Sequence, residues 1–416
     1  MQYKVRKTPG DTSWFVQDRF GMFIHWGLYA LPARHEWVKN IEKTPEDIYQ
    51  RYFDRFNPDM YDPKEWAAYA KNAGMKYVVL TSKHHEGFCL FDSQFTDYKA
   101  TNTPYGKDLV KEFVETFRAE GLKIGFYYSL IDWHHPDFPI DGIHPRRDDD
   151  DIDELNKGRD IKIYAQYMRD QVTELLTNYG KIDILWFDFS YPDNVYKGMK
   201  GKGKDDWESE KLIATARAIN PDIIIDNRAD IEQDLWTPEQ VQPDEWVRDS
   251  EGNLVVWEAC QTFSGSWGYY RDETTWKSPE ILIRMLINTV SCGGNLLLNV
   301  GPTARGYFDS RAVFALDEIG KWMKYNSRSI YGCTKADCPS TPGVKFTQNG
   351  KLLYAHIFEY PPFDLKLNGL AGKIAYVQLL NDASEVHFSE KDGDVYLNIP
   401  RIKPDQIVPV IELFLK

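Results

Sequence analysis

The sequence predicts an α/β chain: a (β/α)8-like TIM barrel over residues 1–335, followed by a small C-terminal antiparallel β-sandwich domain over 340–416. Three observations carry this reading. Up to about residue 330, short apolar β-rich runs alternate with amphipathic stretches, the pattern of parallel strands joined by helical crossovers. The rival doubly wound sheet is weakened because no glycine-rich phosphate loop of the G-x-G-x-x-G or G-K-S/T kind occurs. Past residue 335 the long helical patterns stop, and two Asn-Gly or Asp-Gly pairs sit between β-rich runs.

The elements follow in order. GMFIHWG (21–27) reads as a strand, and DPKEWAAYAKNAG (62–74) as a helix stopped by glycine. KYVVLTSKHH (76–85) is the second strand, GKDLVKEFVETFRAEG (106–121) a helix, and KIGFYYSL (123–130) the third strand. Residues 160–178 carry apolar positions at helical spacing. KIDILWFDF (181–189) is the fourth strand, and DIIIDNR (222–228) the fifth, after a helix around 207–219. LVVWEAC (254–260), a helix near 279–291, GGNLLLNV (293–300) and a helix near 310–326 complete the series. That makes seven strands where a barrel needs eight, so one is irregular in sequence. Beyond the boundary near Cys338-Pro339-Ser340, Asn349-Gly350 and Asp392-Gly393 predict hairpins. The charge-rich stretches 145–154 and 197–206 read as solvated loops.

Composition narrows the function. A net charge of −13 argues against a nucleic-acid partner, whose phosphates want a basic face. No run approaches the roughly 20 apolar residues of a membrane span. Aromatic residues make up 14%, which suits either stacking on sugar rings or a large aromatic core. The opening stretch MQYKVRKTPGDTSWF lacks the apolar run of a secretory signal. The five cysteines are few, odd in number and without zinc spacing, which fits a reducing compartment. A cytoplasmic location is the resulting expectation.

A parallel barrel places its active site at the C-terminal ends of its strands. The polar residues predicted there are His25, His84, His85, Tyr127, Tyr128, Asp188, Asn227, Arg228 and Glu258, enough to describe a polar pocket. Asp188 follows the apolar run ILWF and suits a covalent nucleophile or general base; its plainer reading is a cap for the next helix. The three histidines raise the question of a metal. They lack His-Glu-x-x-His spacing, and adjacent His84 and His85 would face opposite sides of a strand.

At this point six separated strings are telling: FGMFIHWGLYALPARHEW, LTSKHHEGFCLFDS, IGFYYSLIDWHHPDF, ILWFD, SWGYYRD and GGNLLLNVGPTARG. Together and in this order they resemble glycoside hydrolase family 29, the α-L-fucosidases, from about residue 14 to 330. The resemblance implies a (β/α)8-like barrel with a C-terminal β-sandwich, and retention of configuration through a fucosyl-enzyme ester with no metal or organic cofactor. It implies Asp188 as nucleophile and a sugar pocket of His25, Glu36, Trp37, His84, His85, Tyr127 and Arg228, with Trp186 and Trp267 as apolar surface for the C6 methyl of fucose. For the acid/base it offers Glu239 of Thr237-Pro238-Glu239-Gln240, which is preferred, and Glu258 of Trp257-Glu258. Two positions depart from the family pattern: Phe189 stands where glycine is common, and Asp226-Asn227-Arg228 replaces the usual order.

The expected function is therefore a retaining exo-α-L-fucosidase acting on fucosylated oligosaccharides or glycosides. The alternatives are an α-L-galactosidase with the same machinery, a non-catalytic fucose-binding protein, and a metal-dependent hydrolase. The short C-terminal domain and aromatic richness are also compatible with a homo-oligomer whose neighbouring subunit contributes to the pocket.

Overall fold

The computed structural model describes residues 4–416. Seven strands form one parallel sheet: Phe20–Ile24 (β1), Tyr77–Lys83 (β2), Lys123–Ser129 (β3), Ile184–Asp188 (β4), Ile224–Ile225 (β5), Glu258–Thr262 (β6) and Asn295–Val300 (β7). Their order is β5-β4-β3-β2-β1-β7-β6, so the sheet curls as a (β/α)8-like barrel does and leaves β5 and β6 as its edges. Nearly every residue in these strands is buried, because one face lines the barrel and the other meets the helices. The two faces alternate along each strand. Phe23, Val79, Tyr127 and Trp186 point inward, while Met22, Val78, Phe126 and Phe187 pack outward.

The eighth wall position is filled by an irregular stave, residues 235–240. Leu235 bridges Asp226 on one flank, and Trp236 and Glu239 bridge Trp257 and Cys260 on the other, all in parallel sense. Trp236 N donates to Val256 O at 3.0 Å, Glu258 N to Trp236 O at 2.8 Å, and Gln240 N to Cys260 O at 3.1 Å. Pro238 has no N–H to give, so the ladder cannot run through it. Among the described residues no helix lies between Ile219 and Pro279, so the crossovers on both sides of the stave are loops.

The remaining crossovers are helices with identifiable starts. Asp62, Asp108, Asp160, Ser278 and Asp309 each accept a hydrogen bond from a backbone N–H in the first turn of the helix that follows. Such side-chain caps satisfy donors that a helix start otherwise leaves unpaired. Asp188 is not among them.

At the C-terminus two antiparallel sheets share one apolar cluster. Leu353, Val377 and Leu413 enter it from a five-stranded sheet, and Leu367, Val395 and Leu397 from a three-stranded one. The five-stranded sheet begins with Thr334–Lys335, which pairs with Thr347 and Gln348. At the second hairpin Asp392 and Gly393 have φ of 54° and 87°, the two left-handed residues a tight turn needs. At the first, Asn349 stays in the ladder opposite Leu352, and the turn falls on Gly350-Lys351. The C-terminal unit is tied to the barrel by Trp322 Nε1 donating to Val408 O at 2.8 Å and by an ion pair of Arg328 with Glu412 at 2.6 Å.

Candidate active site

The strand ends converge on one tight pocket. His25, Glu36, Trp37, His84, His85, Tyr127, Trp186, Asp188, Arg228, Glu239 and Trp267 all line it, joined by Phe23, Phe189 and Cys260. Asp188 closes β4, and its carboxylate is held from two sides. Tyr127 Oη donates to Oδ2 at 2.7 Å, and Arg228 Nη1 donates to Oδ1 at 2.8 Å. The same Nη1 donates to Glu239 Oε2 at 2.7 Å. These two bonds cap the distance between the accepting oxygens of Asp188 and Glu239 at their sum, about 5.5 Å.

Arg228 is itself fixed. Its guanidinium lies over the Trp186 ring at 4.5 Å, and Nε donates to Thr237 Oγ1 at 2.8 Å. Burial works against its charge, but Asp188 and Glu239 outweigh that and keep it protonated beyond its ordinary range. Tyr127 is pushed the same way, first by burial and then by the negative Asp188, so it stays a donor. Beneath them Asp226 accepts from the backbone N–H of Phe187 at 3.2 Å and of Arg228 at 3.4 Å. Burial raises this carboxyl well above the usual range, and its two backbone bonds clamp the ends of β4 and β5 together.

Two histidines have tautomers fixed by their partners. Asn299 Nδ2 donates to Trp267 O at 2.7 Å, so its Oδ1 is left to accept from His25 Nδ1 at 2.6 Å. Ser129 Oγ donates to Ile131 O, so it too accepts, from His85 Nδ1 at 2.7 Å. Both rings therefore turn an unprotonated Nε2 away from these bonds. Burial, and then the neighbouring His84, pull both well below the ordinary imidazole range and keep them neutral. His84 and His85 do not face opposite sides. They lie beyond the last residue of β2, where strand alternation no longer applies, and their rings sit 4.0 Å apart on the same pocket. Among the described residues no group of three or more His, Cys, Asp or Glu is arranged to hold a metal ion.

Glu36 and Trp37 arrive on the long β1 crossover. Glu36 Oε2 accepts from the backbone N–H groups of Trp267 and Gly268 at 3.1 and 2.9 Å, which fixes the turn that presents Trp267. Trp37 packs edge-on against His85 at 4.9 Å and meets Phe189 at 5.3 Å.

Glu258 stands elsewhere. It opens β6 rather than ending it, so it lies toward the N-terminal end of the barrel, fully buried and bonded to the Tyr77 hydroxyl. Burial pushes it up to about 8. The apolar run 254–257 that made it look like a strand end makes only isolated bridges. Phe23 and Cys260 were not singled out from sequence. The signal was there: each lies two residues from an inward-facing polar group, His25 and Glu258 respectively. A roomier cavity of about 1110 Å³ at the opposite end of the barrel, lined by residues such as Arg6 and Arg19, holds none of these groups.

Two carboxylates at the top of a barrel, bridged by one arginine and ringed by imidazoles and indoles, can perform acid- and nucleophile-assisted cleavage of a glycoside. A family model described as alpha-L-fucosidase matches residues 2–328. The chain belongs to the α-L-fucosidase family. Alpha-L-fucosidase isoenzyme 1 from Paenibacillus thiaminolyticus is 46% identical with a TM-score of 0.92, over 97% of this chain and 98% of that one. A family 29 α-L-fucosidase from Bacteroides thetaiotaomicron, solved as a trapped covalent intermediate with 2-fluoro-fucosyl fluoride in a glutamate-to-glutamine variant, is 27% identical. Its TM-score is 0.84, with coverage of 100% and 99%. Human plasma α-L-fucosidase is 30% identical over 84% of this chain and 76% of its own length. As a member of the α-L-fucosidase family, the chain is a glycoside hydrolase. No helix among its described residues is long and apolar enough to cross a membrane.

Proposed function

We propose that the chain is an exo-acting, retaining α-L-fucosidase in which Asp188 is the nucleophile and Glu239 the acid/base. The observation that carries this is the shared Arg228 nitrogen. It caps the separation of the two accepting oxygens at about 5.5 Å, the upper end of the roughly 5–5.5 Å of retaining pairs and short of the roughly 6.5–9.5 Å that inverting pairs need. Asp188 attacks C1 of the bound fucoside from one face while Glu239 protonates the departing oxygen. The resulting ester is broken when Glu239 takes a proton from water and the oxygen attacks C1, which restores Asp188 as a carboxylate. Arg228 balances whichever carboxylate is ionised through the cycle. The trapped intermediate of the Bacteroides relative supports a covalent route.

Burial of Glu258 beneath the pocket, and its absence from the lining, favour Glu239 as the acid. The narrowness of the inner pocket favours a single terminal sugar over an internal one. Its aromatic walls of Phe23, Trp186 and Trp267 favour a methyl at C6, though such walls reject an added hydroxyl only by about 10²-fold. The five free thiols support a cytoplasmic location, which fractionation of expressing cells would test.

The decisive experiment replaces the nucleophile. Asp188→Gly should keep its fold by circular dichroism and lose turnover on an aryl α-L-fucoside. Added azide should restore release and yield the β-fucosyl azide. Activity near that of the wild type would end the proposal.

A further inference from the structure

Phe189 directly follows Asp188 and has a φ of 83°, in the left-handed region that bulky side chains rarely adopt. Glycine would occupy this position without strain. A strained backbone kept at a pocket calls for a use of the side chain it carries. The ring is braced by Trp37 at 5.3 Å, by His85 edge-on at 5.4 Å and by Tyr191 at 5.6 Å.

Phe189, Arg228 and Glu239 line the inner pocket and also an adjoining cavity of about 360 Å³. That volume lies within the range of small-molecule sites. The other walls of the cavity are Ser190, Asn227 and Asp230. Among the described residues the Ser190 hydroxyl is already committed, donating to Arg228 O and accepting from Trp207 Nε1. Asn227 Oδ1 accepts from Thr237, which leaves its amide nitrogen as a free donor. Asp230 Oδ2 accepts from Lys204 N, which leaves Oδ1 as a free acceptor. One aromatic ring, one free donor and one free acceptor match a pyranose, which has an apolar C–H face and hydroxyls of both senses.

We propose that Phe189 is a specificity-determining platform on which the leaving sugar stacks, and that this cavity selects a hexose as the leaving group. The inference rests on the assignment of Asp188 and Glu239: a group protonated by Glu239 must depart on the side this carboxylate shares with the second cavity.

The test compares two substrates. α-L-Fucosyl fluoride leaves nothing in the second cavity, whereas an α-L-fucosyl-galactose disaccharide fills it. In Phe189→Gly, kcat/KM for the disaccharide should fall about tenfold more than for the fluoride, mainly through KM. Phe189→Tyr, which keeps the ring, should retain the preference of the wild type. If Phe189→Gly melts early, Phe189→Leu gives the same comparison with apolar volume kept and the flat face lost. Equal losses on both substrates, or no loss on the disaccharide, would overturn the proposal. A wild-type protein that releases fucose from neither substrate would instead overturn the catalytic assignment beneath it.

Discussion

Asp188 and Glu239 accept hydrogen bonds from a single nitrogen, Arg228 Nη1, at 2.8 and 2.7 Å. The bridge sets their spacing and charge together. Nη1 can hold both because the rest of the planar fork is anchored by Trp186 and Thr237. An ammonium is a point charge without that fork. Arg228→Lys should therefore keep the fold and lower kcat/KM on the order of 10²-fold. A loss below threefold in steady-state kinetics would show that the bridge is dispensable.

The two acid candidates give different products when removed. Glu239→Ala should slow hydrolysis of a poor leaving group by about 10²–10⁴-fold. With an activated aryl fucoside, whose leaving group needs no acid, azide should restore turnover by attacking the fucosyl ester, giving the α-fucosyl azide with configuration retained. Glu258→Gln should give no azide product. Nuclear magnetic resonance of the products would decide, and azide rescue of the Glu258 variant in place of the Glu239 variant would reverse the assignment.

Glu258 should instead govern alkaline stability. Burial raises it from 4.5 to about 8, so between those values the native chain holds a proton that the unfolded chain has released. Its contribution is then complete below about 4.5 and is lost as pH rises through about 8. His25 and His85, held neutral, act with the opposite sign and cost stability only below about 6.5. From pH 6.5 to 8.5 the melting temperature of the wild type should therefore fall relative to that of Glu258→Gln by about 2 °C or more. A constant difference across that range would contradict the burial argument.

Asn299 fixes His25 and the Trp267 carbonyl at once. Asn299→Ala strands both partners and frees the imidazole to change tautomer. The cost of one buried unpaired group, about 1–3 kcal/mol, translates to a loss in kcat/KM of roughly 5- to 150-fold. Asn299→Asp should recover part of it, because its carboxylate still accepts from His25 Nδ1. Equal losses in the two variants would rule out the tautomer argument.

Much of this was legible in the amino-acid order because buried parallel strands must be apolar on both faces. The runs at 77–83, 123–129, 184–188 and 295–300 were readable for that reason. The 235–240 stave was not. DLWTPEQ has no continuous apolar run and contains a proline, and its place in the wall depends on neighbours distant in sequence. Glu258 was misread as a strand end because LVVWEAC is apolar from Leu254 onward, while regular pairing begins only at Glu258. Asp188 was recognisable at the end of an apolar run. Glu36 and Trp37 came only from the family resemblance, since a long crossover leaves no periodicity to follow.

The stave that carries Glu239 is joined to its flanks by a few isolated bridges, whereas the strand under Asp188 is paired along its length with β3. Partial opening of the wall is cheapest where the ladder is thinnest. The two carboxylates proposed for catalysis thus ride on parts of unequal stiffness: Asp188 is anchored in the frame, and Glu239 hangs on a more thinly laced panel of the wall.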